Sequence, residues 1–166
     1  MNKNVLPKLV FPNKPEDEML IGAYVEPLVY GKYIEKHNVT VDVKTAYDDL
    51  KNANFNTLIQ TESQLNREDN EVTLTMFREL HERKMSFLFR DNNIVGNMNI
   101  VTQKSEEELI EYFKKEYIPL TKYSSFAGIH HIDEPGWKDW KRAAEIKHAF
   151  KTVFPDKLFF LNLLQV

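Results

Sequence analysis

The sequence predicts an α/β protein of parallel strands with helices outside them. Three observations predict it. Five apolar runs of strand length alternate strictly with four segments of helical period, an order that favours parallel strands joined by right-handed crossovers. The runs are continuous rather than alternating, as in strands covered by helices. The connections are also lopsided. Helix-to-strand links are short ("NANFN", "ERKM", "FPDK"), whereas strand-to-helix links are long (residues 28–39, 63–70 and 92–104). Long loops at the carboxyl ends of strands are where both barrels and open doubly wound sheets place binding and catalysis.

Residues 1–19 carry three prolines and no sustained period, and read as an extended arm before a domain spanning residues 20–166. "LIGAYVEP" is the first strand, ended by proline. Val43, Ala46, Tyr47, Leu50 and Ala53 recur at helical spacing. "NTLIQTES" is the second strand. Leu74, Phe77, Leu80 and His81 mark the second helix, with Asp69 or Asn70 as N-cap. "MSFLFRDNN" is the third strand, followed by the apolar loop "IVGNMNIV", a candidate lid. Ser105 and Glu108 have the spacing of a capping box, and Leu109, Tyr112, Phe113 and Leu120 form the third helix face. "FAGIHHIDEP" is the fourth strand. Trp137, Trp140, Ala144, Lys147 and Val153 or Phe154 mark the fourth helix, and "DKLFFLNLLQV" is the fifth strand. The two tryptophans, one turn apart, are expected in the core, or, for Trp137, stacked on a ligand.

Polar groups gather at the predicted strand ends: Glu26; Gln60 and Glu62; Arg90 and Asp91; His130, His131, Asp133 and Glu134; Asn162 and Gln165. His130 and His131 are neighbours on a strand and should face opposite sides. Simple alternation then puts His130 with Glu134 and His131 with Asp133. Arg90 is a ligand contact or the partner of Asp91 or Asp133.

Composition excludes several classes. The net charge of −3 and scattered basic residues give no nucleic-acid footprint. With no cysteine there is no disulfide framework, thiolate metal site or cysteine nucleophile. No spaced histidine–carboxylate ligand set occurs, so neither metal nor cofactor is expected. No apolar run reaches the roughly 20 residues of a membrane helix. The first 19 residues lack a signal-peptide apolar core, so an exported form would carry its signal outside this sequence, and the compartment stays open.

"GIHHIDEPG" resembles the fourth-strand motif of retaining TIM-barrel glycoside hydrolases of the β-galactosidase and cellulase type. "IGAYVEP" resembles their first strand. "AYDDLKNANFNTLI" resembles a helix and second strand reading, loosely, "lkeaGfN". "FRDNN" is similar to a third-strand end, and "AAEIKHAFKTVFPDKLFFLNL" to the following helix and strand of bacterial members. The resemblance covers residues 20–166 in order. It implies the first five β/α units of a (β/α)8 barrel, a partial barrel whose full form takes about 250 residues.

The resemblance implies a carbohydrate-active protein that hydrolyses O-glycosidic bonds. Its fourth strand ends in Asn-Glu-Pro, so Glu134 would be the general acid/base. Asp133 stands where the family has an Asn that touches the sugar 2-hydroxyl. Arg90, His130, Glu26, Glu62, Asn162 and Trp137 would contact the carbohydrate. Members of the family are often exported. The family's nucleophile comes from a seventh strand, and these 166 residues are expected to be inactive alone. Two alternatives remain open. One is a non-catalytic half-barrel that binds or assembles, self-associating through its open edges. The other is a flavodoxin-like open sheet of order 2-1-3-4-5 that binds a phosphate ligand.

Overall fold

The computed structural model describes residues 19–24, 42–61, 70–95 and 102–162. Its elements, in chain order, are β1 (Gly22–Ala23), α1 (Val43–Asn52), β2 (Thr57–Ile59), α2 (Asn70–Glu82), β3 (Ser86–Phe89), α3 (Glu106–Tyr117), a 3₁₀ turn (Ile118–Lys122), β4 (Phe126–Asp133), α4 (Trp140–Val153) and β5 (Leu158–Asn162). All neighbouring strands pair in parallel, and the sheet order is β1-β2-β3-β4-β5. That order overturns the flavodoxin-like alternative, which needs the first strand between the second and third.

The sheet is curled. Laid flat, β1 and β5 would lie four strand spacings apart, about 19 Å. Yet the Tyr24 hydroxyl, one residue beyond β1, sits 3.3 Å from Asn162 Nδ2 at the end of β5. Five parallel strands thus form a half-barrel, with helices packed on one face.

The core lies between sheet and helices. Phe77 of α2, Phe87 and Phe89 of β3, Tyr117 of α3 and Phe126 of β4 are all buried, with neighbouring ring centroids 4.9 to 6.5 Å apart. Phe113 of α3 meets Phe150 of α4 edge to face at 5.6 Å. Edge-to-face geometry places the positive rim of one ring on the negative face of the next, which adds to the area term. Arg83 ties α1 to α2 by donating to Asp48 and Glu79 at 2.7 Å each.

The helix ends follow local chemistry. Ser105 and Glu108 cap α3 reciprocally, as their spacing predicts. α2 begins at Asn70; Asp69 lies outside the described residues. Leu120 falls in the 3₁₀ turn rather than in α3, because Pro119 removes the donor that another helical turn requires.

The fourth helix departs from expectation. It starts at Trp140, and its buried face is Ala143, Ile146, Ala149 and Phe150. Residues 137–139 form a turn, so the spacing from Trp137 through Trp140 to Ala144 never becomes a helix face. Trp137 is 81% exposed and Trp140 58%.

Candidate functional site at the carboxyl rim

β4 ends in the residues the site is built from, and an irregularity in that strand sets their direction. His130 pairs with Phe160, Ile132 with Leu161 and Asp133 with Asn162, so His131 is an extra residue with no partner in β5. Such a bulge breaks strand alternation. Phe160 and Asn162 are two apart and share a face of β5; across from them, His130 and Asp133 are three apart and share a face too. Simple alternation paired His131 with Asp133, and the bulge reverses that.

The contacts agree. His130 lies 5.8 Å from the Tyr24 ring and 5.4 Å from Phe160. His131 instead packs 5.0 Å from Phe159, which meets Phe150 on the helix side. The two histidines face opposite sides, as adjacency predicted.

Asp133 Oδ1 accepts from the Tyr24 hydroxyl at 2.7 Å and from Asn162 Nδ2 at 2.7 Å. The Tyr24 hydroxyl also lies 3.3 Å from the same amide, as acceptor. Residues from the ends of β1, β4 and β5 therefore converge on one carboxylate oxygen. Burial pushes the Asp133 carboxyl up, but the hydrogen bonds from Tyr24 and Asn162 outweigh it, helped by the fields of His130 and Arg90, and the carboxyl sits below its ordinary value. Burial and the Asp133 carboxylate push the Tyr24 phenol up to about 12, so it remains a donor.

His130 is fully buried. Its Nδ1 lies 2.5 Å from the Gln60 carbonyl oxygen; a carbonyl only accepts, so Nδ1 carries the proton. Burial lowers the pKa of the ring, which stays neutral. Its Nε2 then offers a lone pair, and among the described residues that atom has no hydrogen-bond partner. Arg90 is buried at the end of β3; its guanidinium donates to the Thr61 carbonyl at 2.9 Å and its N–H to Gln60 Oε1 at 2.9 Å. Asp91 faces the helices, where it accepts from Tyr112 and Tyr117 at 2.6 and 2.8 Å and from Asn93.

Glu134 stands at the rim, exposed, with its N–H on the Asn162 carbonyl at 2.8 Å. Its φ of 51° is left-handed, not the extended geometry expected before proline. Among the described residues its carboxylate makes no hydrogen bond or ion pair, whereas Tyr24 and Asn162 gather on the neighbouring Asp133. Trp137 is exposed three residues beyond it, with Lys138 Nζ 5.5 Å from its ring centre. Glu26, Glu62 and Gln165 lie outside the described residues, as does most of the "IVGNMNIV" loop.

Comparison with family models, curated proteins and solved structures finds no match for this chain. Among the described residues no group of three histidines or carboxylates is placed to hold a metal, and no helix is long and apolar enough to cross a membrane. From its place near the end of the first strand, Tyr24, like Tyr30 outside the described residues, is a lesser candidate in the sequence for stacking on a sugar. Its role came from the curl of the sheet, which no local pattern encodes.

Proposed function

We propose that this chain is a carbohydrate-binding, glycoside-hydrolase-like half-barrel whose ligand sits at the carboxyl rim beside Asp133 and Glu134. One observation carries the reading: the environment of the Tyr24 hydroxyl. It donates to a carboxylate and accepts from a carboxamide, which is how an enclosed polar pair satisfies both capacities of a hydroxyl. A sugar hydroxyl in its place would make the same two bonds. The exposed Trp137 ring supplies an apolar face for stacking on a pyranose, and Glu134 presents an exposed carboxylate, unpaired among the described residues, to the glycosidic oxygen.

In this reading Glu134 is the general acid/base of the first five units of a (β/α)8 barrel. A retaining mechanism also needs a second carboxylate about 5–5.5 Å away, a role assigned to no described residue. The edges of the half-barrel, β1 and β5, are surfaces for self-association.

Binding is tested by calorimetry and by tryptophan emission with the methyl pyranosides of glucose, galactose and mannose. At least one should bind and shift the emission, and Asp133→Ala should abolish both signals. No binding by any of them would overturn the reading. In a longer chain that supplies a seventh-strand carboxylate, Glu134→Gln should slow aryl glycoside hydrolysis by about 10²–10⁴-fold while binding survives.

A further inference from the structure

We propose that the rim contains a second hydroxyl subsite at His130 Nε2, against which the Tyr24 ring packs in the free chain. The ligand is then recognised as a pair of neighbouring hydroxyls. One takes the place of the Tyr24 hydroxyl between Asp133 and Asn162, and the other donates to His130. The inference rests on the carbohydrate reading above and adds a specificity-determining residue to it.

His130 Nε2 is a buried acceptor without a donor among the described residues. The residue is 0% exposed, and its Nδ1–H is held by the Gln60 carbonyl. Buried polar atoms are nearly always paired, and an exception needs an explanation. Neither Asp133 nor Tyr24, the rim groups beside it, supplies a donor. Asp133 is ionised and only accepts, while the Tyr24 hydroxyl already donates to Asp133. A ligand group that bonds Nε2 must therefore be a donor, which excludes a carboxylate or a fully ionised phosphate. Arg90 acts on His130 with a like-signed field that disfavours a second cation, which disfavours ammonium. A neutral donor remains, and on the carbohydrate reading that donor is a hydroxyl.

Access follows from the same contacts. The Tyr24 ring lies 5.8 Å from the buried His130 and is itself 37% exposed, so in this proposal it is the cover between the imidazole and solvent. Its only described tether at the tip is the Asp133–Asn162 pair. A ligand hydroxyl that occupies that pair releases the tyrosine, and release of the tyrosine uncovers Nε2. Tyr24 is in this sense a built-in competitor that resembles the ligand it excludes.

The test uses the chain labelled with ¹⁵N at histidine, two-bond ¹H–¹⁵N spectra, and the same methyl pyranosides together with their monodeoxy analogues. The free chain should show His130 protonated at Nδ1, and a bound pyranoside should move the Nε2 resonance. Tyr24→Phe, which removes the competing hydroxyl and keeps the ring, should tighten binding several-fold. His130→Asn keeps a donor near the Nδ1 position and loses Nε2; it should weaken binding about 5- to 10-fold, the worth of one neutral hydrogen bond. It should also leave the chain indifferent to the loss of one particular hydroxyl. An Nε2-protonated ring, a bound sugar with Nε2 unmoved, or weaker binding by Tyr24→Phe would overturn the subsite and leave the carbohydrate reading standing. No pyranoside bound by any form would overturn both.

Discussion

His131 shows how much one position can carry. It is 1% exposed, packed on Phe159, and neither ring nitrogen has a partner among the described residues. Burial, with the positive fields of Arg90 and Arg142, pushes its pKa down to about 3. The folded chain therefore keeps it neutral where the unfolded chain takes up a proton near pH 6.5. The unfolded state binds more protons, so stability is present above that pH and is lost as the pH falls. From His131 alone the loss between about pH 7.5 and about pH 5.5 is about 1.4 kcal/mol. Urea unfolding at the two values should show it, and His131→Phe should remove this part of the pH dependence. An unchanged slope in the variant would refute the assignment. Glu134, at φ 51°, pays for its exposed position with backbone strain. Glu134→Gly should raise stability by about 0.5–1 kcal/mol in the same assay, whereas Glu134→Gln should leave it unchanged.

At the scale of the element, turns and bulges place the site. α1 and α2 both end in a Schellman motif: Phe55 N–H reaches the Leu50 carbonyl and Asn54 N–H that of Lys51, and Met85 N–H and Lys84 N–H repeat the pattern on Leu80 and His81. Asn54 takes a left-handed backbone with φ 64°, which asparagine tolerates through local hydrogen bonding. Lys84 does so at φ 53° without asparagine's local compensation. Lys84→Gly should therefore stabilise the chain by about 0.5–1 kcal/mol, measured as a rise in denaturant midpoint. Gly128 has no such latitude. A Cβ there would sit 1.9 Å from the Leu158 carbonyl oxygen, backbone that cannot turn aside. Gly128→Ala should force β4 and β5 apart and cost about 3 kcal/mol or more, disturbing the Asp133–Asn162 pair with them. Wild-type stability in that variant would show that the close approach does not exist.

At the scale of the whole molecule, curvature makes the site and topology leaves two edges. Tyr24, Asp133 and Asn162 are 109 and 138 residues apart at their extremes, and they meet only because five parallel strands curl. Among the described residues the sheet ends at β1 and β5, and an unpaired edge recruits partners. Light scattering of the purified chain is expected to show association that grows with concentration. A stable, monodisperse monomer across that range would count against self-association through the edges.

The alternation of strands and helices, their order and the capping box at Ser105 were legible in the chain itself, because period, turn residues and caps are local chemistry. The meeting of Asp133 and Asn162 at one rim was legible for the same reason, since a parallel α/β order sends every carboxyl end to one edge, whereas Asp91 and His131 turn to the helices. Local pattern misplaced Trp137 and Trp140, because a helix face depends on where its first turn begins, and residues 137–139 form a turn instead. It also misjudged which side Asp133 takes. Side-chain direction in a strand counts by twos, and only the pairing of β4 with β5 reveals that His131 is one residue too many. Tyr24 joined the site through curvature, a property of five strands together. Residue types and their order were thus settled by the sequence, while which of them touch was decided by the bulge and the curl.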